Sequence, residues 1–257
     1  MPPPLPATLA DEAPLILVTG AARRVGAEIA RQLHARGARI ALHYRHSADA
    51  ALTLAAALDA ERPGSAFTVG GDLARFGAAD EIAAQVLERS GGRLDGLVNN
   101  ASSFFPTPVG RIDRAAWDEL IGSNLMGPLF LSQALAPALG SSGRGAIVNI
   151  VDIHAERPLE RYPVYSAAKG GLAALTRALA IELAPAVRVN GVSPGPIDWP
   201  EDGQFPPAER ERIIAHTLLK RVGSAADIAR TVSFLMFDAP YITGQIIAVD
   251  GGRSAHL

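Results

Sequence analysis

Leu15-Ile-Leu-Val-Thr19-Gly20-Ala-Ala-Arg23-Arg24-Val25-Gly26 is the stretch that decides the fold. Its apolar half predicts a short buried strand, and the segment that follows, from Gly26 to about Arg36, is compatible with a helix. Small residues at such a junction let backbone N–H groups approach a pyrophosphate, and the helix N-terminus adds favourable partial charge. The glycine spacing differs from G-x-G-x-x-G, so the stretch taken alone also suits an ordinary strand-to-helix turn.

The same alternation of apolar runs and helical segments continues along the chain. Further strands are predicted at 39–44, 65–69, 94–99, 145–151, 188–192 and 245–249, and helices at 50–60, 78–89, 124–139, 165–183, 209–218 and 225–237. Apolar residues run continuously through the strands, which is typical of a parallel sheet buried on both faces. The sequence therefore predicts an α/β fold of the Rossmann type: a single domain with a doubly wound, mainly seven-stranded parallel sheet and helices on both faces.

Composition narrows the class of protein. The chain has 257 residues, of which 48% are apolar, and a formal net charge of −2, so nothing favours nucleic acid or an acidic membrane as a partner. It has no cysteine, which excludes disulfides and thiol catalysis. We expect a flexible, proline-rich leader at 1–13 without the features of a secretory signal, one folded domain at 14–257, no membrane span and a cytoplasmic location.

The chemistry concentrates in two segments near the middle of the chain. Tyr165 and Lys169 are four residues apart, so they lie on one face of a helix, where an ammonium group can lower the pKa of a phenol. Asp152 lies thirteen residues before Tyr165, at the end of a predicted strand. The three side chains suggest a general acid for the reduction of a carbonyl or an imine, although each of them alone has ordinary structural uses.

The end of the second predicted strand indicates which nucleotide the chain would bind. Tyr44-Arg45-His46-Ser47 follows the glycine loop by about 20 residues, where an acidic residue would bind the ribose hydroxyls of NAD. Arginine favours the 2′-phosphate of NADP instead. We therefore predict NADPH/NADP+ as the cofactor.

Four motifs, in order, resemble those of the short-chain dehydrogenase/reductase superfamily across Pro14 to Gly252: Thr19-Gly20, Asn99-Asn100-Ala101, Tyr165-x-x-x-Lys169 and Pro194-Gly195. The resemblance implies that Tyr165 donates a proton and that Lys169 holds the nicotinamide ribose and lowers the pKa of Tyr165. It also implies that Asn124 holds a water in a proton relay. The remaining cofactor contacts that it implies are Gly20, Val25, Tyr44, Asp72, Leu73, Asn100, Ala101, Pro194 and Gly195.

Three departures from the superfamily pattern are similar to the pteridine reductase branch. Asp152 stands in place of the usual serine, Arg24 in place of the middle glycine of the loop, and Asn-Asn-Ala runs on as Ser102-Ser103-Phe104. In that branch Phe104 would stack on the pterin, while Ser102 and Arg24 would contact cofactor phosphate and pterin. Trp199 falls in what would be the substrate loop.

One detail departs from the branch itself. This chain has Arg45-His46 where the branch has histidine before the basic residue, so the ligands of the 2′-phosphate stay open among Arg45, His46 and Ser47. The resemblance also implies a homotetramer, in which the tail Gly251-Gly252-Arg253 would reach a neighbouring subunit.

The expected function is the NADPH-dependent reduction of a pteridine or folate: a dihydropterin such as dihydrobiopterin or dihydromonapterin, with dihydrofolate as a further candidate. A carboxyl group such as Asp152 suits a ring N–H, whereas a serine hydroxyl suits a carbonyl oxygen. The alternatives are a 3-oxoacyl or ketone reductase and a non-catalytic NADP-binding sensor. Asp152 and Phe104 weigh against the first, and intact Tyr165, Lys169 and Asn124 against the second. No metal site is expected, since His154 has no clustered partner.

Overall fold

The computed structural model describes residues 13–199 and 205–255, so the leader predicted at 1–13 lies outside the described residues except for its last position. The strands are β1 (Leu15–Val18), β2 (Arg39–Tyr44), β3 (Ala66–Gly70), β4 (Gly96–Asn99), β5 (Gly145–Ile150), β6 (Val187–Pro194) and β7 (Ile246–Val249). The helices are α1 (Arg24–Ala35), α2 (Ala48–Glu61), α3 (Ala78–Ser90), α4 (Arg114–Ile121), α5 (Gly127–Ser141), α6 (Pro163–Glu182), α7 (Pro207–Ala215) and α8 (Ala225–Phe237).

The strands form one parallel sheet in the order β3-β2-β1-β4-β5-β6-β7. The chain winds outward from β1 to β3, then returns to the other side of β1 with β4. The strand order therefore reverses between β1 and β4, and ligands of such sheets bind in the crevice outside the carboxyl ends of the strands at that point. The predicted α/β class, the parallel sheet and the number of strands are confirmed.

Alternate residues of each strand enter two separate cores. Leu15 and Leu17 of β1 pack toward α3, α5 and α6, whereas Ile16 and Val18 pack toward α1, α2 and α8. All four are at most 2% exposed. Because both faces of the sheet are covered, continuous apolar runs were the correct signal for these strands.

Two elements between β4 and β5 differ from the prediction. Helix α4 was not predicted, although Asp113 caps it by accepting a hydrogen bond of 2.8 Å from the N–H of Ala116. The predicted helix 124–139 begins instead as a π-helical turn, Gly122–Met126, that joins α4 to α5. Both elements carry residues that contact the candidate site.

No helix in the described ranges is long and apolar enough to cross a membrane.

Candidate active site

The loop between β1 and α1 has a conformation that depends on small residues. Gly20 has a φ of +61°, and a Cβ atom on Gly26 would lie 2.2 Å from the carbonyl oxygen of Gly20. Arg24 has a φ of 51°, in the left-handed region that glycine adopts most easily. The loop backbone therefore lies directly against the N-terminus of α1, which is the close approach that a bound pyrophosphate requires.

Thr19 and Asn100 fix this loop to the neighbouring strand. The Thr19 hydroxyl accepts hydrogen bonds of 2.9 Å from the N–H groups of Asn100 and Ala101. The Asn100 side chain donates to the carbonyl oxygens of Thr19, at 2.9 Å, and Gly20, at 3.2 Å. Asn100, predicted as a cofactor residue, thus shapes the loop on which the cofactor would lie.

His43 supports the same loop from β2, and sequence reasoning missed it. Its Nδ1 accepts from the N–H of Gly20 at 3.2 Å, and its Nε2 lies 3.1 Å from the carbonyl oxygen of Gly71. Burial lowers the pKa of His43 to about 4. A neutral imidazole therefore acts as one donor and one acceptor between the glycine loop and the segment after β3.

A cavity of about 310 Å³ lies beyond the carboxyl end of β2. Among the predicted cofactor residues, its lining includes Gly20, Tyr44, Arg45, His46, Ser47, Asp72, Leu73, Ala101 and Ser102. Arg23 also lines it. The residues expected to hold the adenosine end of the nucleotide are thus brought together.

Arg45 is already ion-paired within this cavity. Its Nη2 lies 2.9 Å from Oδ2 of Asp72, and its Nη1 lies 2.5 Å from Oε1 of Glu119 on α4. Glu119 also accepts a hydrogen bond from the Ser103 hydroxyl. The hydrogen bond from Arg45 holds the pKa of Glu119 below its usual value. Glu119 was missed because α4 was missed; the Asp113 cap was the available signal.

Tyr165 and Asp152 form the centre of the site. Tyr165, on α6, donates a hydrogen bond of 2.7 Å to Oδ2 of Asp152, which follows β5 by two residues. The other carboxylate oxygen of Asp152 accepts from the N–H of His154 at 2.8 Å, which fixes its orientation. Burial, and next the negative charge of Asp152, raise the pKa of Tyr165 well above its usual value. The phenol therefore keeps its proton.

Lys169 lies one helical turn from Tyr165, as predicted, but it does not have the expected effect. Its Nζ donates a hydrogen bond of 2.8 Å to the carbonyl oxygen of Ile150 and lies 5.7 Å from the centre of the Tyr165 ring. Burial lowers the pKa of Lys169 to about 8, against the opposing charge of Asp152. The expectation that Lys169 lowers the pKa of Tyr165 is wrong in this arrangement, because burial and Asp152 dominate.

Asn124 lies in the π-helical turn, and its side chain is fully engaged with protein groups. Its Nδ2 donates to the carbonyl oxygens of Ser103, at 2.9 Å, and Leu120, at 3.0 Å. Its Oδ1 accepts from the Ser102 hydroxyl at 2.7 Å. Asn124 is completely buried, and these hydrogen bonds show that its side chain positions the Ser102-Ser103 segment.

A second cavity of about 310 Å³ separates the glycine loop from Tyr165. The predicted residues that line it are Arg24, Val25, Asn100, Ser102, Phe104, Asp152, Tyr165, Lys169 and Pro194. Arg24 also donates a hydrogen bond of 2.7 Å to the carbonyl oxygen of Asp198, in the segment after β6. Arg24 therefore connects the glycine loop to the segment predicted to contact substrate.

A third cavity, of about 160 Å³, lies beside Asp152 and has aromatic walls. The Phe104 ring stacks on Tyr162, with centroids 4.7 Å apart and an angle of 13°, and meets Tyr165 edge-on at 4.8 Å. Phe205 lies parallel to Phe104 with its centroid 6.5 Å away. These contacts hold Phe104 in one orientation.

The third cavity is also lined by residues whose place in the site the sequence left open or assigned elsewhere. Trp199 lines it, and so does Gly195. Arg253, expected to reach a neighbouring subunit, lines this cavity of its own chain and donates a hydrogen bond of 3.0 Å to the carbonyl oxygen of Ile213. His154 also lines it. In the part of the chain that the structure describes, no three His, Cys, Asp or Glu residues lie close enough to hold a metal ion.

Known proteins show strong similarity to this chain. A family model described as Enoyl-(Acyl carrier protein) reductase matches residues 20–254. The match therefore covers nearly the whole chain. The chain belongs to the short-chain dehydrogenase/reductase superfamily.

Among curated relatives of this short-chain reductase, pteridine reductase 1 of Leishmania tarentolae is 41% identical over 96% of this chain and 98% of its own length. A granaticin polyketide synthase putative ketoacyl reductase 2 of Streptomyces violaceoruber is 37% identical over 98% and 99%. A 3-oxoacyl-(acyl-carrier-protein) reductase of Staphylococcus epidermidis is 34% identical over 92% and 97%. The resemblance to the pteridine reductase branch is confirmed by the first of these similarities.

These three cavities adjoin one another. Arg23 and Ser102 border both the first and the second, and Phe104, Asp152 and Tyr165 border both the second and the third. The result is a long cleft over the carboxyl ends of the strands, passing the glycine loop at its midpoint. Such a shape fits an extended dinucleotide whose pyrophosphate lies on the loop and whose ends lie on either side of it. Each predicted site residue lines this cleft except the buried Asn124.

Proposed function

We propose that this chain is an NADPH-dependent pteridine reductase. Its substrate would be a dihydropterin such as dihydrobiopterin or dihydromonapterin, with dihydrofolate as a further substrate. The observation that carries the proposal is the hydrogen bond of 2.7 Å between the Tyr165 hydroxyl and Asp152 at the edge of an aromatic-walled cavity. The similarity to a pteridine reductase over nearly the whole chain supports it.

The third cavity suits a flat, nitrogen-rich ring. Phe104 offers an aromatic surface whose orientation Tyr162 and Tyr165 fix. Asp152 is half-buried and presents a carboxylate to both the second and the third cavity. A carboxylate accepts hydrogen bonds from ring N–H and amino groups, which a pterin has and a simple ketone lacks. A rigid aromatic wall beside one fixed acceptor is the pattern that orients such a ligand.

The protonation states support reduction at a ring nitrogen. When bound in the cleft, NADPH supplies the hydride. Tyr165 stays protonated because burial and Asp152 raise its pKa, so it holds a proton next to the substrate. Asp152 orients that hydroxyl and, being in contact with solvent, can take up a proton from water and pass it to the Tyr165 phenolate after the transfer. Lys169 carries most of its charge at neutral pH and would hold the nicotinamide ribose.

The adenosine end of the cleft supports NADPH over NADH. Superfamily membership accounts for a nicotinamide cofactor, and no acidic side chain ends β2 to bind the ribose hydroxyls. Arg45, His46 and Ser47 lie there instead, with Arg23 across the cavity. Asp72 is the acidic residue of this lining, and it is ion-paired to Arg45.

We also infer the homotetramer that the resemblance implies. Several large apolar side chains are exposed: Val109 by 86%, Ile181 by 80% and Leu219 by 64%. Contacts with further copies would cover such groups. Sedimentation equilibrium of the full chain tests this, and a monomer at micromolar concentration would contradict it.

NADPH oxidation with dihydrobiopterin, dihydrofolate and a keto ester tests the function. We expect turnover of a pterin, lowered roughly 10²-fold or more in Asp152→Ala and in Tyr165→Phe. The matched control is Tyr241→Phe, because Tyr241 is fully exposed. Unchanged pterin reduction in the two site variants would contradict the proposal. Turnover of the keto ester alone would favour a ketone reductase, and NADPH binding without any turnover would favour a sensor.

A further inference from the structure

Glu119 has no role in the proposed reaction, yet it lies against the adenosine end of the cleft. Its Oε1 is 2.5 Å from Nη1 of Arg45 and also accepts the hydrogen of the Ser103 hydroxyl. On the other side of the same guanidinium, Asp72 lies 2.9 Å from Nη2. Arg45 is therefore bracketed by two carboxylates, one on α4 and one after β3.

The position of Glu119 is fixed by its surroundings. The Ser123 hydroxyl donates a hydrogen bond of 2.7 Å to the Glu119 carbonyl oxygen and accepts one of 3.3 Å from the N–H of Ser103. The Glu119 side chain is 26% exposed, less than that of Arg45 at 33%. Glu119 is thus held by the segment that carries Ser103, whereas the guanidinium is the more accessible partner.

The net charge of Arg45, Asp72 and Glu119 together disfavours the binding of a phosphate. Arg45 contributes one positive charge, and Asp72 and Glu119 contribute two negative charges within 3 Å of it. A phosphate monoester on the adenosine ribose would bring further negative charge to the same guanidinium. It can bind Arg45 only by displacing a carboxylate or by sharing the guanidinium with both of them.

We propose that Glu119 sets the preference between a 2′-phosphate and a free 2′-hydroxyl, by competing with the phosphate for Arg45. The inference rests on the proposed use of NADPH. Glu119 is a specificity-determining residue in this view, since it touches neither the reacting atoms nor the nicotinamide end of the cleft. It lowers the affinity for NADPH and leaves that for NADH almost unchanged, which moderates how tightly the phosphorylated product cofactor is retained.

Glu119→Gln tests the proposal, because the amide keeps the shape of the side chain and an acceptor for Ser103 while removing the charge. We expect the Kd for NADPH to fall by about two- to fivefold, as is typical of partly exposed ion pairs, with the Kd for NADH within error of wild type. The effect should shrink as ionic strength rises. Titration of the nicotinamide fluorescence measures both values without any substrate.

The control is Asp238→Asn, which removes one charge from the exposed bidentate pair between Asp238 and Arg36, at the opposite end of α1. Competition by 2′,5′-ADP against 5′-ADP isolates the 2′-phosphate from the rest of the cofactor. Glu119→Gln should improve 2′,5′-ADP binding alone, and Asp238→Asn should improve neither. Circular dichroism confirms that both variants are folded.

A second variant separates competition from positioning. In an Arg45→Ala background the phosphate and Glu119 have no guanidinium to share, so Glu119→Gln should change NADPH binding much less than it does in the wild-type background. Equal gains in both backgrounds would overturn the competition for Arg45. Unchanged or weaker NADPH binding in Glu119→Gln would overturn it as well, and a weaker one would make Glu119 a support for an Arg45 clamp.

The outcomes also distinguish this inference from the proposed cofactor. Wild-type protein that binds NADH more tightly than NADPH would contradict the proposed use of NADPH, whatever Glu119 does. Wild-type protein that prefers NADPH, with a preference that Glu119→Gln leaves unchanged, would contradict the inference about Glu119 alone.

Discussion

The Tyr165 hydroxyl lies 2.7 Å from Oδ2 of Asp152 and donates its hydrogen to it. In this pair the phenol has a carboxylate as its partner, and Lys169 is bound elsewhere, to the carbonyl oxygen of Ile150. A carboxylate keeps the phenol protonated and itself accepts hydrogen bonds from a ligand. The pair therefore combines a stored proton with an acceptor for ring N–H groups.

Asp152→Ser should change substrate preference. A serine hydroxyl donates to a carbonyl oxygen but offers no charge to a ring N–H, so the ratio of kcat/KM for dihydropterin to kcat/KM for a keto ester should fall by at least about tenfold. Parallel assays of NADPH oxidation measure the ratio. Tyr165→Phe is the comparison, because it removes the proton donor for both substrates and should lower both values together. An unaltered ratio in Asp152→Ser would show that Asp152 does not select the substrate.

Lys169 should make cofactor binding depend on pH near 8. Its pKa of about 8 means that the charged fraction falls from about nine-tenths at pH 7 to about one-tenth at pH 9. If the charge holds the nicotinamide ribose, NADPH affinity should decline as the pH rises through about 8. Lys169→Met, which has no titrating group, should bind NADPH weakly and without this decline. Fluorescence titrations from pH 6 to 10 measure it, and an identical pH profile in Lys169→Met would contradict the assignment.

Lys169 has a second pH effect, on stability, with the opposite slope. Because its pKa is lowered from 10.5 to about 8 in the folded state, the unfolded chain holds more protons between those values. The free energy of unfolding should therefore gain a contribution from this residue as the pH rises from about 8 to 10.5. Urea unfolding at both ends of that range gives the change in the free energy of unfolding with pH. The contribution of Lys169 is the difference between this change in the wild type and in Lys169→Met.

His43 should make the fold sensitive to mild acid. Its pKa is lowered from 6.5 to about 4, so its contribution to stability is present above about pH 6.5 and is lost as the pH falls toward 4. The loss amounts to about 3 kcal/mol when complete. His43→Gln keeps a donor for Gly71 and an acceptor for Gly20 but does not titrate, so its free energy of unfolding should fall less over this range. Urea unfolding at pH 7 and pH 4.5 measures the difference, with the exposed His216→Gln as the control.

The strained backbone conformation of Arg24 should be measurable as a difference in stability between two variants that lack its side chain. Its φ of 51° costs an L-residue about 1 kcal/mol relative to glycine. Arg24→Gly should therefore be more stable than Arg24→Ala by about that amount, although both lose the hydrogen bond to Asp198. Thermal unfolding of the two variants gives the difference. Equal stabilities would mean that the loop relaxes to an unstrained φ once the arginine is gone.

The sheet was predictable because its signals are local. Each strand is a continuous apolar run, and each crossover helix has its own periodic pattern, so alternation along the chain was enough to predict a parallel sheet. Helix α4 is different. It is short, one of its residues, Leu120, is fully buried, and Trp117 is 47% exposed. With so little apolar patterning, the Asp113 cap was its clearest signal.

The site divides in the same way. The spacing of Tyr165 and Lys169 was enough to predict that they lie together, and the glycine loop was predicted from its position after β1. His43 and Glu119 were not found, because their roles depend on contacts to residues 23 or more positions away in the sequence. The side-chain charge of Asp152 was readable, but its effect on the pKa of Tyr165 required the distance between them.

The π-helical turn at Gly122–Met126 sets the rotation of α4 relative to α5, and therefore which way the α4 side chains face. Its hydrogen bond from the N–H of Gly127 to the carbonyl oxygen of Gly122 spans five residues, one more than an α-helical turn. Deleting one residue there would restore a regular helix and rotate α4 by about 100° relative to α5. Glu119, on α4, would then rotate away from Arg45. A single-residue change in length would thus separate the Arg45 contact at one end of the cleft from the Tyr165–Asp152 pair at the other.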